Sequence, residues 1–430
     1  MRLEGGSCTQ AVTGIKRTNS AAGKVSRTYE LPPKETAVKV LSGITTTALA
    51  FLALTSFSSA QPATREARLV EFDAPGAATV SSPVCASSCG TVAYDNNDLG
   101  VIVGFYTDPN IVPHGFLRVP NGRFISFDAP GAGLGHGLNQ GTVAIAINNL
   151  GEIAGQFQDP NNVFHGFVRY PNGFFTTFDE PDAGTQANPS QSFFPGTMAF
   201  NINLRGTTAG IYIDASNVQH GFVRSPANKF ISFDPVGSVF TFVCEETCLN
   251  LDGTVAGFYF DSSFVPHGFV RYANGTITSI DPPAPAGLTT IGTLAASINP
   301  QGVIAGYSLD SKLVFHGFVR RPDGSFTTFD DPEAGKGTPP QGSFEGTAAF
   351  SINPWGSITG QYFDASNNAH GFERFPDGQF ANFDAPHAGP GSAAGTRPST
   401  NNADGEVAGW YIDAGGLNHG FLWIPGIPDR

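Results

Sequence analysis

The chain has 430 residues, including 53 glycines, 32 prolines and 37 phenylalanines, and only 14% of its residues are charged. This turn-rich, aromatic-rich composition is typical of an all-β protein and argues against a helical or disordered one. The formal charge is −13, and because residues 1–60 carry seven basic and three acidic residues, the rest has a net charge of −17. Such an acidic body repels phosphate backbones, which excludes nucleic acid as an expected partner.

The N-terminal region contains one long apolar stretch, residues 40–57, with two lysines shortly before it. The small residues that a signal peptidase requires follow it and end at Ala60. We therefore predict an extended signal peptide region over 1–60, cleaved after Ala60, and a short linker over 61–68. A membrane anchor is the alternative, but the apolar stretch is short and rich in Thr and Ser. We expect no stable membrane span, and a bacterial protein that is secreted or periplasmic.

The rest of the chain is repetitive. The triplet His-Gly-Phe occurs seven times, with an Asp six residues before each His and an Asn seventeen residues before it. The Asp and His residues of this frame are Asp108, His114, Asp159, His165, Asp214, His220, Asp261, His267, Asp310, His316, Asp364, His370, Asp413 and His419. Another Asp lies fourteen residues after each of the first six histidines, and its seventh copy is Asp73 near the start. Offsets held across seven copies indicate seven equivalent structural units.

Each unit contains four strand-like runs separated by turn signals such as Asn121-Gly122. We therefore predict an all-β fold, a seven-bladed β-propeller of four-stranded antiparallel blades over residues 69–425, with a C-terminal tail at 426–430. The second run is rich in small residues and is expected to lie innermost, with the first run outermost. The end repeats resemble the interior ones, which favours a closed ring. The N-terminal strand is expected to close it by pairing with the C-terminal blade.

The order of the elements, FDAPGA, then INNLGEIAG, then the HGF triplet, resembles the bacterial extracellular repeat family called HAF. One departure is HGF where the name of that family implies HAF. The resemblance covers residues 69–425 and implies an exported repeat protein with no established activity. It carries over no catalytic residue.

Asp and His six residues apart could meet across a hairpin and form a catalytic dyad or a metal site. We interpret the pairs as structural, because an active site requires asymmetry and these pairs occur in every repeat. An Arg follows each His by four residues and is expected to stack on a neighbouring Phe or to pair with an Asp. These residues are Arg118, Arg169, Arg224, Arg271, Arg320 and Arg374, with Trp423 in the last copy.

The cysteines form two CxxxC pairs, Cys85/Cys89 and Cys244/Cys248, both placed between the first and second runs. In an exported protein each pair predicts a local disulfide. A zinc site would need two distant blades to touch, so no metal site is expected. The Asp/Asn hairpins have a composition that would suit calcium, but it equally suits plain turns, so no cofactor is required.

Length varies in one interval, from the Asp of the first run to the Asn after the second, where the gap ranges from 16 to 24 residues. Variable loops on a rigid scaffold are where recognition usually occurs. The ligand-binding residues predicted there are His136, His387, Phe193, Phe194 and Phe344. For each Phe, the alternative is that the ring folds back onto the core.

Two functions remain. The first is an exported, monomeric, non-catalytic scaffold that binds a glycan, a peptide or an envelope protein through this loop face. The second is an exported hydrolase or lyase with its site at the mouth of the central channel. The sequence contains no Gly-x-Ser-x-Gly, no HExxH and no phosphate loop, so no catalytic residue is assigned and the first function is favoured.

Sequencing the N-terminus of the exported protein tests the predicted cleavage. We expect the mature chain to begin at Gln61. A start codon at Val38 instead of Met1 would give the signal peptide a conventional short basic leader. A mature chain that begins near Met1 would contradict the predicted signal peptide.

Overall fold

A computed structural model of the chain describes residues 66–81, 89–135, 140–187, 194–245, 247–337, 345–391 and 394–426. By its internal contacts the chain divides into Met1–Gln61 and Pro62–Arg430. The predicted signal peptide lies outside the described residues. The described part of the chain forms 28 strands and no helix, so it contains no helix of the length and apolar character needed to span a membrane.

The strands form seven units of four, in which consecutive strands pair in antiparallel fashion. The first strands are β2 (Gly90–Asn96), β6 (Thr142–Ile147), β10 (Gly196–Ile202), β14 (Phe240–Val243), β18 (Thr290–Ile298), β22 (Glu345–Ile352) and β26 (Gly395–Asn401). The second strands are β3 (Ile102–Thr107), β7 (Ile153–Gln158), β11 (Thr208–Ile213), β15 (Val255–Phe260), β19 (Ile304–Asp310), β23 (Ile358–Phe363) and β27 (Val407–Ile412).

The third strands carry the His-Gly-Phe triplets and the fourth strands carry the first runs of the sequence repeats. The third strands are β4 (Pro113–Arg118), β8 (Phe164–Arg169), β12 (Gln219–Arg224), β16 (Pro266–Arg271), β20 (Val314–Arg320), β24 (Ala369–Arg374) and β28 (Asn418–Ile424). The fourth strands are β1 (Arg68–Phe72), β5 (Phe124–Phe127), β9 (Phe175–Phe178), β13 (Phe230–Phe233), β17 (Ile277–Ile280), β21 (Phe326–Phe329) and β25 (Phe380–Phe383).

The units belong to four sheets, because short parallel bridges join three pairs of units into eight-stranded sheets. One such bridge is between Gly90 and Asn418. Another is between Gly196 and Phe164. Each joins the start of a first strand to the third strand of the preceding unit. The architecture is therefore all-β and mostly antiparallel.

The last unit takes its fourth strand from the other end of the chain. β1 pairs with β28 in antiparallel register, from Arg68 opposite Ile424 to Phe72 opposite Gly420. The predicted pairing of the N-terminal and C-terminal strands is therefore present. β1 begins at Arg68, one residue before the predicted start of the propeller at Leu69.

The His-Gly-Phe triplet is explained by packing. The triplet Phe is completely buried in all seven units, as in Phe116 and Phe421. The Gly leaves room for the fourth strand, because a Cβ on Gly115 would lie 2.6 Å from the ring of Phe127. A side chain there would force the fourth strand away from the third. Gly and Phe therefore set how closely the outer two strands pack.

Five of the six arginines that follow the triplets stack on rings of the preceding unit, which is one of the two predicted arrangements. The Arg118 guanidinium lies 4.6 Å from the ring centroid of Phe72. Arg224 lies 4.0 Å from that of Phe178. In the last unit Trp423 replaces the arginine and stacks on Phe383 at 4.7 Å. These contacts fasten adjacent units to each other.

The histidines bond to a different aspartate from the one expected. Nδ1–H of each His donates a hydrogen bond of 2.7–3.0 Å to the carboxylate of the Asp fourteen residues later. For His419 the acceptor is Asp73. The Asp six residues earlier lies 3.3–3.8 Å from Nε2. That Asp instead caps a turn: Asp108 Oδ1 accepts the N–H groups of Asn110 and Val112. Each His links its third strand to the end of the fourth, and the structural role of the Asp–His pairs stays a prediction.

The repeated asparagines link the units at the other end of the first strands. Asn97 Nδ2 donates to the carbonyl of Asn148 at 3.1 Å, and Asn148 donates to that of Asn203 at 3.0 Å. The series returns to its start, since Asn402 donates to the carbonyl of Asn97 at 3.2 Å. These hydrogen bonds join the first described unit to the last.

Glu373 departs from the repeat pattern in the core. The residue between the triplet Phe and the Arg is Leu or Val in the other units, whereas Glu373 is completely buried. Asn401 Nδ2 of the next unit donates to it at 3.0 Å. Burial raises the pKa of Glu373 to about 8, so the folded protein holds this carboxyl protonated at neutral pH.

Glu373→Gln should reduce the loss of stability between pH 5 and pH 9. The wild-type carboxyl ionises in the unfolded chain near pH 4.5 but in the folded chain only near pH 8, so its stabilising effect is lost as the pH rises through this window. The effect corresponds to a few kcal/mol. Melting temperatures measured across this range test it.

The histidine–aspartate pairs should affect the stability of wild type and of Glu373→Gln equally. Bonding to Asp128 raises the pKa of His114, so the pair stabilises the fold fully below about pH 6.5 and less as the pH rises through the folded-state value. Both proteins should therefore share this part of the decline. Identical pH profiles for wild type and Glu373→Gln would contradict the assignment of Glu373.

Candidate functional site

The first strands share a β-bulge that turns one side chain out of the ladder. The register shifts at the same position in six units, as between Ala93 and Asp95 or between Ala349 and Ser351. The extra residue is Tyr94 in the first unit and Phe350 in the sixth. Bulges re-aim side chains and are frequent at functional sites. In three units they direct a ring, that of Tyr94, Phe200 or Phe350, toward the space lined by the first strands.

The second strands contribute one variable position to the same space. It is the residue directly opposite the triplet Gly, as Trp410 is opposite Gly420. The residues at this position are Phe105, Gln156, Ile211, Phe258, Tyr307, Gln361 and Trp410. Its neighbours are nearly constant among the repeats, whereas this position changes in size and polarity. Variation confined to one inward position is typical of a binding surface on a constant frame.

The fourth unit replaces its bulge with a disulfide-closed insertion. The first-strand Thr and the repeat Asn are six residues apart in the other units, but Thr241 and Asn250 are nine apart. The three extra residues lie within Cys244–Cys248, whose cysteines form a disulfide with Cα atoms 5.9 Å apart. The predicted Cys244–Cys248 disulfide is therefore confirmed. It follows the innermost strand β14, and does not lie in the loop before that strand as expected.

A neighbouring asparagine holds both ends of this insertion. Asn201 Nδ2 donates to the carbonyl of Cys244 at 2.8 Å, and Asn201 Oδ1 accepts the N–H of Cys248 at 2.6 Å. On the other side, the carbonyl of Thr247 accepts the N–H of Ile298 at 2.9 Å. The insertion is therefore fixed to the third and fifth units.

The bulges, the variable positions and the insertion together line a cavity of about 450 Å³, here called the aromatic cavity. Its walls include Phe200, Phe242, Phe258, Tyr307, Phe350 and Glu245. A side recess of about 260 Å³ shares Glu245 and Phe350 with it and adds Tyr94, Gln361, Arg397 and Trp410. This volume and this mixture of rings with few polar groups are typical of small-molecule sites.

The rings are arranged both face to face and edge to face. Phe242 stacks on Phe258 with centroids 4.7 Å apart. Tyr94 and Trp410 meet at 65°, and Tyr307 and Phe350 at 77°. The walls therefore offer ring faces in several orientations.

Two charged residues stand in these apolar surroundings. Burial among the cavity walls raises the pKa of the Glu245 carboxyl, although the side chain is exposed to solvent within the cavity. Burial also lowers the pKa of Arg397. Both charges are thus partly removed from bulk water, where a polar ligand group interacts with them most strongly.

The insertion also separates this cavity from a second one. Thr247 lines a narrower cavity of about 210 Å³ together with the repeated asparagines, while Glu245 lines the aromatic cavity. In the narrow cavity, Asp95 accepts the N–H of Ile147 at 2.8 Å, and burial raises its pKa to about 7. The insertion therefore lies at the floor of the aromatic cavity.

Of the five ligand-binding residues predicted in the variable loops, one lies in the aromatic cavity and one in another pocket. Phe194 lines the aromatic cavity, with its ring 6.5 Å from that of Phe164. His387 lies in another pocket, beside His419, where its Nδ1 is 2.7 Å from Glu71 Oε2. His136, Phe193 and Phe344 lie outside the described residues. The loop-face site as a whole therefore stays a prediction.

The other predicted groups are placed as follows. Cys89 is disulfide-bonded, and Cys85, its predicted partner, lies outside the described residues. Among the described residues, no three His, Cys, Asp or Glu side chains are grouped so that they could hold a metal ion. The calcium alternative is thereby left untested.

Two features of the sequence could have indicated the aromatic cavity. One is the Thr-to-Asn spacing, because the insertion in the fourth unit is offset by a short loop before Thr241. The other is the changing residue two positions before the second-strand end, as in Gln156 and Trp410. The first departs from the repeat directly after β14 and the second lies within the second strands, where variation was not expected.

Comparisons with known proteins give structural likenesses only. No protein-family model matches the chain, and no curated protein has a similar sequence. The BP39L lectin from Burkholderia pseudomallei aligns over 77% of this chain and 98% of its own, at 10% identity and a TM-score of 0.44. The six-bladed β-propeller lectin from Aleuria aurantia aligns over 68% and 92%, at 13% identity and a TM-score of 0.38.

An enzyme is also among the similar structures. A puromycin hydrolase aligns over 80% of this chain at 12% identity and a TM-score of 0.47. The chain spans about half of that hydrolase, since the alignment covers 54% of it.

Replacing both Cys244 and Cys248 with Ala should lower the melting temperature. The disulfide closes a five-residue loop, and opening such a loop costs about 2 kcal/mol. For a chain of this size, that corresponds to a decrease of about 2–3 °C. Calorimetry of the variant and of oxidised wild type measures this decrease, since reduction of the wild type would also open the disulfide of Cys89. An unchanged melting temperature would show that the insertion is held by Asn201 and Thr247 alone.

Proposed function

We propose that the chain is an exported, monomeric β-propeller of seven blades closed into a ring. The seven four-stranded units and the pairing of β1 with β28 support this, as does the hydrogen bond from Asn402 to Asn97. Export, and membership of the HAF repeat family, rest on the sequence and stay predictions.

We further propose that this propeller binds a carbohydrate in the aromatic cavity. The observation that carries this proposal is the variation at the inward position of the second strands, where some units have rings such as Trp410 and Tyr307 and others have the amides Gln156 and Gln361. A sugar ring has apolar C–H faces and hydroxyl edges. Aromatic faces bind the former, and amide and charged groups bind the latter.

The surrounding structure favours a rigid binding site over a lipid pocket. The cavity has polar groups on several walls, including Gln219, whose Nε2 donates to the carbonyl of Thr241 at 3.0 Å. A ligand without hydroxyl or charged groups would leave Glu245 and Arg397 desolvated and would bind more weakly for that reason.

A catalytic function has one observation in its favour. Glu245 is a carboxyl with a raised pKa in a cavity, which is the property of a general acid. The hydrolase or lyase alternative therefore places its acid at Glu245. Turnover of a bound glycan that is lost in Glu245→Gln would establish it.

Trp410→Ala should weaken glycan binding at least tenfold, because the variant loses a ring face of the side recess. A glycan and peptide array of the mature protein identifies the ligand class, and titration calorimetry with the strongest glycan gives the affinity. The matched control is Trp355→Ala, since Trp355 is 71% exposed and lines neither the cavity nor its recess.

Two outcomes would contradict this proposal. One is an array on which only peptides bind. The other is equal glycan affinity in wild type and Trp410→Ala, which would move the site to the variable loops.

A further inference from the structure

Glu245 is the feature of the aromatic cavity that the repeat does not explain. Six units place a single bulge residue at this point of the first strand, and in the fourth unit the insertion takes its place. The disulfide and the two hydrogen bonds from Asn201 fix the insertion on both sides of Glu245. A side chain held in this way presents a carboxyl at a defined place in the cavity.

The groups around this carboxyl suit a positive charge. Glu245 shares the side recess with Tyr94, Phe350 and Trp410. The faces of these rings carry the negative end of the ring quadrupole, and Tyr94 and Trp410 meet at 65°. Rings in crossed orientations beside a carboxylate are an arrangement that binds ammonium groups.

The carboxyl has no hydrogen-bond donor among the described residues. Burial is the cause of its raised pKa, so an approaching cation would favour the ionised form and bind the more strongly. A neutral hydroxyl or acetamide gains less from the same carboxyl, because it brings no charge.

Arg397 lines the same recess and shows that the recess is not built for a simple cation. Its guanidinium donates hydrogen bonds to oxygen acceptors. A ligand that contacts both residues would carry an ammonium group near Glu245 and an oxygen acceptor near Arg397. Within the carbohydrate class, this describes a sugar with a free amino group.

We propose that the aromatic cavity selects amino sugars, with the ammonium group against Glu245 and the neighbouring ring faces and a sugar oxygen toward Arg397. This inference rests on the proposed carbohydrate-binding function. Glu245 is its specificity-determining residue.

Three trisaccharides with the same β-1,4 backbone test this selection. They are cellotriose, tri-N-acetylglucosamine and triglucosamine, which carry a hydroxyl, an acetamide and an ammonium group at the same carbon. Titration calorimetry should give about tenfold tighter binding of triglucosamine than of the other two. The measurements are made at pH 6 in 0.3 M salt, where long-range attraction to the acidic body is largely screened (a Debye length of roughly 5–6 Å).

Glu245→Gln should remove the preference, so that triglucosamine binds no more tightly than cellotriose or tri-N-acetylglucosamine. Asp377→Asn is the matched control, because it also removes one negative charge and Asn-Gly occupies the equivalent turn at Asn121-Gly122. It should keep the preference. Circular dichroism confirms that both variants are folded.

The outcomes separate this inference from the proposed function. Equal binding of the three sugars, or a preference that survives in Glu245→Gln, overturns the amino-sugar selection and leaves carbohydrate binding in place. If none of the three binds while the array shows other glycans bound, the selection is also overturned. If the array shows no glycan at all, the proposed function itself fails.

Discussion

The close packing of the triplet Gly against the last residue of the fourth strand, a Phe in six units and Ile280 in the fourth, is the contact on which the rest of the structure depends. It lets the triplet Phe be buried completely while the preceding His reaches the Asp at the end of the fourth strand. The Arg that follows then lies over the ring of the preceding unit, as Arg118 does over Phe72. One strand thus fixes its own unit and the neighbouring unit together. Because this packing recurs in all seven units, with a Phe or with Ile280, the outer part of the fold leaves few positions at which side chains can vary.

Side chains are freer to vary at the inner strands. Each bulge removes one residue from the hydrogen-bonded ladder, so its side chain can change without a loss of pairing. The residue opposite the triplet Gly has similar freedom, because no side chain faces it across the strand pair. These differences between the units of the proposed ring therefore lie around the aromatic cavity. The largest departure is the insertion with Glu245, and a disulfide and Asn201 are needed to hold it.

Repeat spacing predicted much of the fold. The strand count per unit, the pairing of the two chain ends and the stacking of the arginines all follow from offsets and turn signals. The partner of each His did not, because Asp108 and Asp128 lie at equally constant offsets from His114 and only the strand pairing places Asp128 at Nδ1. Glu245 was missed for a related reason. The interval from Asp234 to Asn250 is short as a whole, so the short loop before β14 concealed the insertion that follows it.

The most direct test of this account restores the symmetry of the fourth unit. Residues 242–249 would be replaced by the five residues 143–147 of the second unit, which gives the first strand the common bulge and removes the disulfide and Glu245. The account predicts a folded β protein with a melting temperature close to that of wild type, and no binding of the glycan identified for the native chain. Unchanged glycan affinity in this variant would contradict the assignment of the aromatic cavity as the binding site.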